Sequence, residues 1–199
     1  MTSKDLVASL VIGFLVALFF IPISTNLDVQ IPFLWSIVVV FPLLAAAGTF
    51  VASLIGKFIP VVFQLAKFLL VGGLNTFVDL GVLNFLISLT GFATGAGYSA
   101  LKGVSFLCAV MNSYFWNRQW TFRAQKKEIG TEFAQFLLVS VIGFLLNVGS
   151  ASLIVNVLAF RFAVSGITEN LWANIGAMGA AFVSLAWNFV GYKVFVFKK

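Results

Sequence analysis

Long apolar runs follow one another along the chain, separated by short breaks of Pro, Gly and charged residues. Runs such as Ile37-Val38-Val39-Val40-Phe41 are apolar on every side, whereas a transmembrane barrel strand alternates polar and apolar positions. They read as helices immersed in lipid. A helix needs roughly 20 apolar residues to cross the hydrocarbon layer, and that length predicts transmembrane helices over Leu6 to Ile23, Phe33 to Ile55, Leu65 to Leu89, Ser99 to Trp116, Phe133 to Phe160 and Leu171 to Val190. No small-x-small cleavage site follows Ile21 to Asn26, so the first run is expected to remain as an anchor.

Composition makes lipid the necessary solvent. Of 199 residues 61% are hydrophobic and 9% charged, with a mean hydropathy of +1.10, more apolar surface than a soluble core of this size can hide. The chain has no histidine and one cysteine, Cys108 in the fourth predicted helix, which excludes a disulfide framework and the usual His or Cys metal sites. Packing is the expected role of Cys108, and no cofactor motif is present.

Basic residues in short loops stay on the cytoplasmic side of a membrane. Lys4, Lys57, Lys67, Arg118, Arg123, Lys126, Lys127, Lys193, Lys198 and Lys199 all fall on one predicted side, and only Lys102 and Arg161 on the other. Both termini are therefore expected in the cytoplasm. The net charge of +6 is spread along helix ends, as orientation and anionic head groups require, and no nucleic-acid partner is expected.

The last four helices contain an internal repeat. Lys67-Phe68-Leu69-Leu70-Val71-Gly72 resembles Gln135-Phe136-Leu137-Leu138-Val139-Ser140, and each unit closes in an aromatic and basic tail, Ser113 to Phe122 and Asn188 to Phe197. Two helices per unit make the repeat parallel. The expected architecture is an all-α polytopic membrane protein: a four-helix core of two parallel two-helix repeats, residues 65–199, plus an N-terminal transmembrane hairpin, residues 1–56, joined through Gly56 to Gln64.

From about Leu65 to Lys199 the sequence resembles the GtrA-like family of small bacterial membrane proteins. The resemblance rests on Lys67 to Gly81, on Asn117-Arg118-Gln119-Trp120-Thr121-Phe122, and on the related ending around Asn188 to Phe197. The family pattern places Asn five residues before the basic residue of the first tail, where this chain has Ser113 with Asn112 beside it. The resemblance implies moving or presenting a polyprenyl-phosphate-linked sugar at the bacterial cytoplasmic membrane, for glycosylation of cell-envelope polymers. It is silent about the hairpin.

Physical reading of the polar residues adds a candidate site. A carboxylate deep in a transmembrane helix costs about 2.5–3.5 kcal/mol on insertion scales, so Asp79 is expected to face protein or water. Gly72, Asn75 and Asp79 share one helix face. Lys102 is expected near the outer end of the fourth helix, snorkelling to the interface or pairing with Asp79 until a lipid phosphate replaces it. Arg118, between Trp116, Asn117 and Trp120, can grip phosphate with two parallel bonds, and the rings can cover a sugar face or anchor at the interface. Lys193 holds the corresponding place in the second unit, and Lys67, Asn112 and Asn188 complete the candidate substrate-binding set. Asn174, Ala177, Ala181, Ser184 and Asn188 on the sixth helix, and Ser140, Gly143 and Asn147 on the fifth, form stripes that suit tight packing.

Three functions compete. A lipid-linked sugar flippase would pass the head group along a groove while the tail stays in lipid; lacking a nucleotide-binding loop, it would draw on a gradient, the membrane potential or protonation at Asp79 or Glu132. A scaffold would instead recruit a membrane glycosyltransferase through the basic loop Arg123 to Lys127. A small multidrug exporter would use Asp79 for cations, but the basic residues at both ends favour an anion. An enzyme is not expected, and a homodimer stays open because small-residue stripes serve either purpose.

Overall fold

The computed structural model describes residues 1–26, 33–91, 95–124, 128–158, 161, 179 and 182–197. Among these the chain is helical throughout, without a strand. The helices are α1 (Ser3–Asn26), α2 (Ile37–Ile55, entered through a 3₁₀ turn at Leu34–Ser36), α3 (Pro60–Thr90), α4 (Gly95–Trp116), α5 (Ile129–Leu153) and α6 (Phe182–Val196). They belong to two compact units, Met1–Arg123 and Ala124–Lys199.

Among the described residues four helical stretches are long and apolar enough to cross a membrane: Ser3–Ser24, Leu34–Ile55, Pro60–Thr90 and Ile129–Asn147. α4, where a transmembrane helix is expected over Ser99 to Trp116, has 22 residues and about 33 Å at the helical rise, but it is not apolar enough to stand among these four. Most of the predicted sixth helix before residue 182 lies outside the described residues, and α6 runs past the expected end at Val190 to Val196.

Helix ends depart from the sequence expectations for a common reason: hydropathy marks the lipid-embedded stretch, whereas helices begin where their first turn can be satisfied. Pro60 opens α3, five residues before the expected Leu65, because its fixed φ suits the first helical position and its missing N–H would have no partner there. The expected connector Gly56 to Gln64 therefore shrinks to residues 56–59. α5 likewise begins at Ile129 rather than Phe133, with Glu132 in the first turn where the helix dipole favours a negative charge. α3 stops at Gly91, whose φ of 72° caps the helix in a conformation that costs glycine nothing.

In the first unit α1 packs on α2 and α3, and α3 on α4. Ile12, Val71 and Leu74 are fully buried in the resulting core, with Ala8, Val78, Ala109 and Trp120 around them. Two glycines set the crossings. A Cβ on Gly13 would lie 2.5 Å from the Phe41 carbonyl oxygen, and one on Gly81 would lie 2.8 Å from that of Phe19. Such closeness raises the dispersion attraction that holds helices together in lipid.

In the second unit α5 meets α6 through the small and polar stripe expected of it. Ser140 and Tyr192 share a hydroxyl hydrogen bond of 2.7 Å, Trp187 donates to the Val139 carbonyl at 3.0 Å, and the Asn188 amide sits against Gly143. Phe136 stacks on Tyr192 with ring centroids 4.5 Å apart. The stripe is packing at these positions; Asn147 is half-buried, and Asn174, Ala177 and Ala181 lie outside the described residues.

Both aromatic tails end in the same local device. Asn117–Thr121 and Tyr192–Val196 are single π-helical turns, closed by the Phe122 N–H on the Asn117 carbonyl (2.9 Å) and the Phe197 N–H on the Tyr192 carbonyl (2.7 Å). Phe122 then packs on Phe68 (6.3 Å), and Phe197 on Phe136 (6.2 Å). Phe68 and Phe136 hold matching places in the two similar sequence segments, so the likeness reaches into side-chain packing. π-turns of this kind are concentrated at functional sites.

Candidate functional site

Two groups of polar residues stand out in the first unit. The first is a seam between α3 and α4. Asn112 donates from its amide to Asn75 Oδ1 at 2.6 Å, and the fully buried Ser105 hydroxyl donates to Asp79 Oδ1 at 2.7 Å. Asn75 and Asp79 thus share a face, as expected, and it is turned to α4. Gly72, expected on that face, is exposed with open space around its α-carbon. Lys102 belongs to α4, but its side chain lies outside the described residues, as does its expected pairing with Asp79.

Amide pairs of this kind in membranes contribute about 0.6–2 kcal/mol. Asn75→Leu should lower unfolding free energy in a mixed-micelle titration by that amount, and Asn75→Leu with Asn112→Leu should lose no more than the single change, because the second amide is no longer stranded.

The second group gathers where the start of α1, the start of α3 and the close of α4 meet. Its centre is Asp5, which the sequence reading passed over. Thr2 and Asp5 form a reciprocal cap: the Asp5 N–H donates to Thr2 Oγ1 (3.3 Å), while Thr2 N and Oγ1 donate to Asp5 Oδ2 at 2.9 and 2.7 Å. Asp5 Oδ1 takes the Lys67 ammonium, the Trp120 indole N–H at 3.1 Å and the Arg123 guanidinium at 3.0 Å. Asp5 is 1% exposed and Lys67 4%, while the Arg123 side chain is 53% exposed.

Backbone and rings hold this arrangement in place. Arg123 has a φ of 49°, a left-handed conformation uncommon for a residue with a side chain. The Lys67 ammonium lies 4.2 Å from the centre of the Phe63 ring and 5.2 Å from that of Trp120, distances at which a cation is attracted to a ring face. Gln64 donates to the Thr121 carbonyl at 3.4 Å, and Trp116 packs edge-on to Trp120.

The other candidates sit around this end or in the second unit. Arg118 is the second residue of the first π-turn and half-buried; Lys193 is the second residue of the other, exposed, with its ammonium 5.7 Å from the Phe189 ring. Asn117 is buried and donates to Ser113, yet its Oδ1 and the Thr121 hydroxyl find no hydrogen-bond partner among the described residues. Buried atoms left in that state cost about 1–3 kcal/mol each. Lys67 and Trp120 come together, as do Asn75 and Asn112; Asn188 belongs to the α5–α6 packing. On the far part of α1 and α3, Leu15, Leu18, Phe19, Pro22, Gly81, Val82 and Phe85 line an apolar groove of about 270 Å³.

Comparison with known proteins agrees with the resemblance read from the motifs. The GtrA/DPMS transmembrane domain matches residues 67–197, from the buried lysine of the cluster to the phenylalanine that closes the second π-turn. The uncharacterized membrane protein YngA of Bacillus subtilis (strain 168) is 32% identical over 136 residues, covering 67% of this chain and 78% of its own length. No solved structure matches. With the family's domain covering well over half of the chain, and its two end motifs folded as matching π-turns, this is a membrane protein of the GtrA/DPMS transmembrane-domain family.

Proposed function

We propose that this protein carries a polyprenyl-phosphate-linked sugar across the bacterial cytoplasmic membrane, for glycosylation of cell-envelope polysaccharide, and catalyses no reaction itself. The observation that carries the reading is the polar seam Asn75–Asn112 and Asp79–Ser105 between α3 and α4. A head group crossing lipid needs hydrogen-bonding partners along its path, since each unmatched polar group costs several kcal/mol there. Its tail can stay outside, and the apolar groove between α1 and α3 has the chemistry of an isoprenoid chain. The basic residues of the first unit's polar end, Lys67, Arg118 and Arg123, suit the phosphate. Both termini lie in the cytoplasm under this reading, by the distribution of lysine and arginine, and a membrane glycosyltransferase takes the product.

The test uses purified protein in liposomes holding a labelled polyprenyl-phosphate sugar, and follows how fast inner-leaflet head groups become accessible to a membrane-impermeant oxidant. Fast exposure, slowed about tenfold or more by Arg118→Ala, is the expected result; loss of one charge-assisted contact of about 1.5–3 kcal/mol corresponds to that range. Exposure no faster than in protein-free liposomes would remove the transport reading and leave a scaffold for the transferase.

A further inference from the structure

The carboxylate of Asp5 is placed as a bound anion is placed. It is buried, it takes three donors on Oδ1 and two on Oδ2, and the donors come from three separate segments of chain. Lys67, Trp120 and Arg123 lie within the matched family domain, whereas Asp5 belongs to α1, outside it. Among the described residues the charges do not balance: one carboxylate faces two cations. A phosphoryl group would do better, offering more acceptor oxygens and, as a monoester, close to the two negative charges that Lys67 and Arg123 would neutralise. Access exists on one side, because the Arg123 side chain is half exposed while Lys67 and Trp120 are covered.

We propose that Lys67, Trp120 Nε1 and Arg123 form a phosphoryl-binding site, and that Asp5 is a tethered stand-in that occupies it until a phosphorylated ligand displaces α1's first turn. The hairpin is then a built-in competitor. The apparent affinity for the ligand is reduced by the fraction of molecules whose site is open. The choice of a prenyl phosphate as ligand rests on the transport reading, whose diester cargo leaves this monoester once its sugar has been transferred; the anion site rests on the geometry above, and binding can be measured where no transport takes place.

The experiment compares the full chain, Asp5→Asn, Asp5→Asn with Arg123→Gln, and Asp5→Asn with Lys67→Met, each in nanodiscs, titrated with undecaprenyl phosphate and separately with inorganic phosphate. Tryptophan fluorescence and the thermal midpoint are the readouts. Asp5→Asn should bind undecaprenyl phosphate about tenfold or more tightly than the full chain, as expected when a site closed at least nine-tenths of the time is opened. Its thermal midpoint should rise with ligand, and both double variants should lose the effect. Binding of undecaprenyl phosphate alone identifies a lipid head group as the ligand; equal gains with inorganic phosphate identify the free anion. A folded Asp5→Asn protein with no gain in affinity for either probe overturns the proposal. So does an Asp5→Asn protein that cannot be recovered with or without phosphate while Asp5→Asn with Lys67→Met folds, because the cluster is then only a structural ion pair. Tight binding without flipping in liposomes would sink transport and leave the site standing.

Discussion

Lys67→Met is expected to lose about 3–5 kcal/mol of stability, the range found when one member of a buried ion pair is removed and its partner left behind. Asp5 would keep Trp120, Thr2 and the exposed Arg123, but Oδ1 would lose the buried cation it has among the described residues. Adding Asp5→Leu to Lys67→Met should recover most of the loss, since two apolar side chains need no charge compensation in this place. With Asp5→Leu alone as the third variant, the measurements close a double-mutant cycle, read by chemical denaturation in mixed micelles. A single variant as stable as the parent would mean that the ammonium leaves the cluster easily and finds water.

Gly13→Val should part α1 from α2. The new Cβ would lie 2.5 Å from both the Phe41 carbonyl oxygen and the Pro42 α-carbon, and 2.6 Å from the Pro42 nitrogen. These are backbone atoms, which cannot rotate aside as a side chain can, so the helices must separate. Overpacking of this kind costs about 1–3 kcal/mol, and the second branch of valine puts the expected value at the upper end. Gly48→Ala is the control, because nothing lies within 4 Å of its new methyl group. Disulfide trapping between cysteines placed on α1 and α2 should report separation for the first variant and none for the second.

Much of this architecture was legible in the residues because the bilayer is so strict a solvent. All-round apolar runs located the helical stretches, and the pairing of Lys67-Phe68 with Gln135-Phe136 pointed to two related aromatic tails, whose π-turns no sequence pattern announced. Helix starts were harder, because Pro60 and Ile129 open helices by backbone chemistry that hydropathy does not register. Asn75 and Asp79 could be put on one face by spacing alone, but no spacing rule names Asn112 and Ser105 as their partners.

Asp5 was missed for a different reason. A carboxylate at the head of an apolar run carries no local mark of burial, and its partners stand far away in sequence. A signal was present nonetheless: Thr2-Ser3-Lys4-Asp5 has the reciprocal cap spacing immediately before a hydrophobic stretch. That spacing fixes where the carboxylate stands on the helix, and Lys67 and Arg123 then make it the centre of a cluster.

The separation of those partners has a consequence for biogenesis. Asp5 precedes Lys67 by 62 residues, Trp120 by 115 and Arg123 by 118. A nascent chain inserting helix by helix therefore carries this carboxylate with only its Thr2 cap until α3 brings Lys67. Its last two donors arrive only when the π-turn after α4 leaves the ribosome. The first helix can enter the bilayer early, but its docking is deferred, and the closing of the first tail acts as the checkpoint at which the N-terminal unit locks.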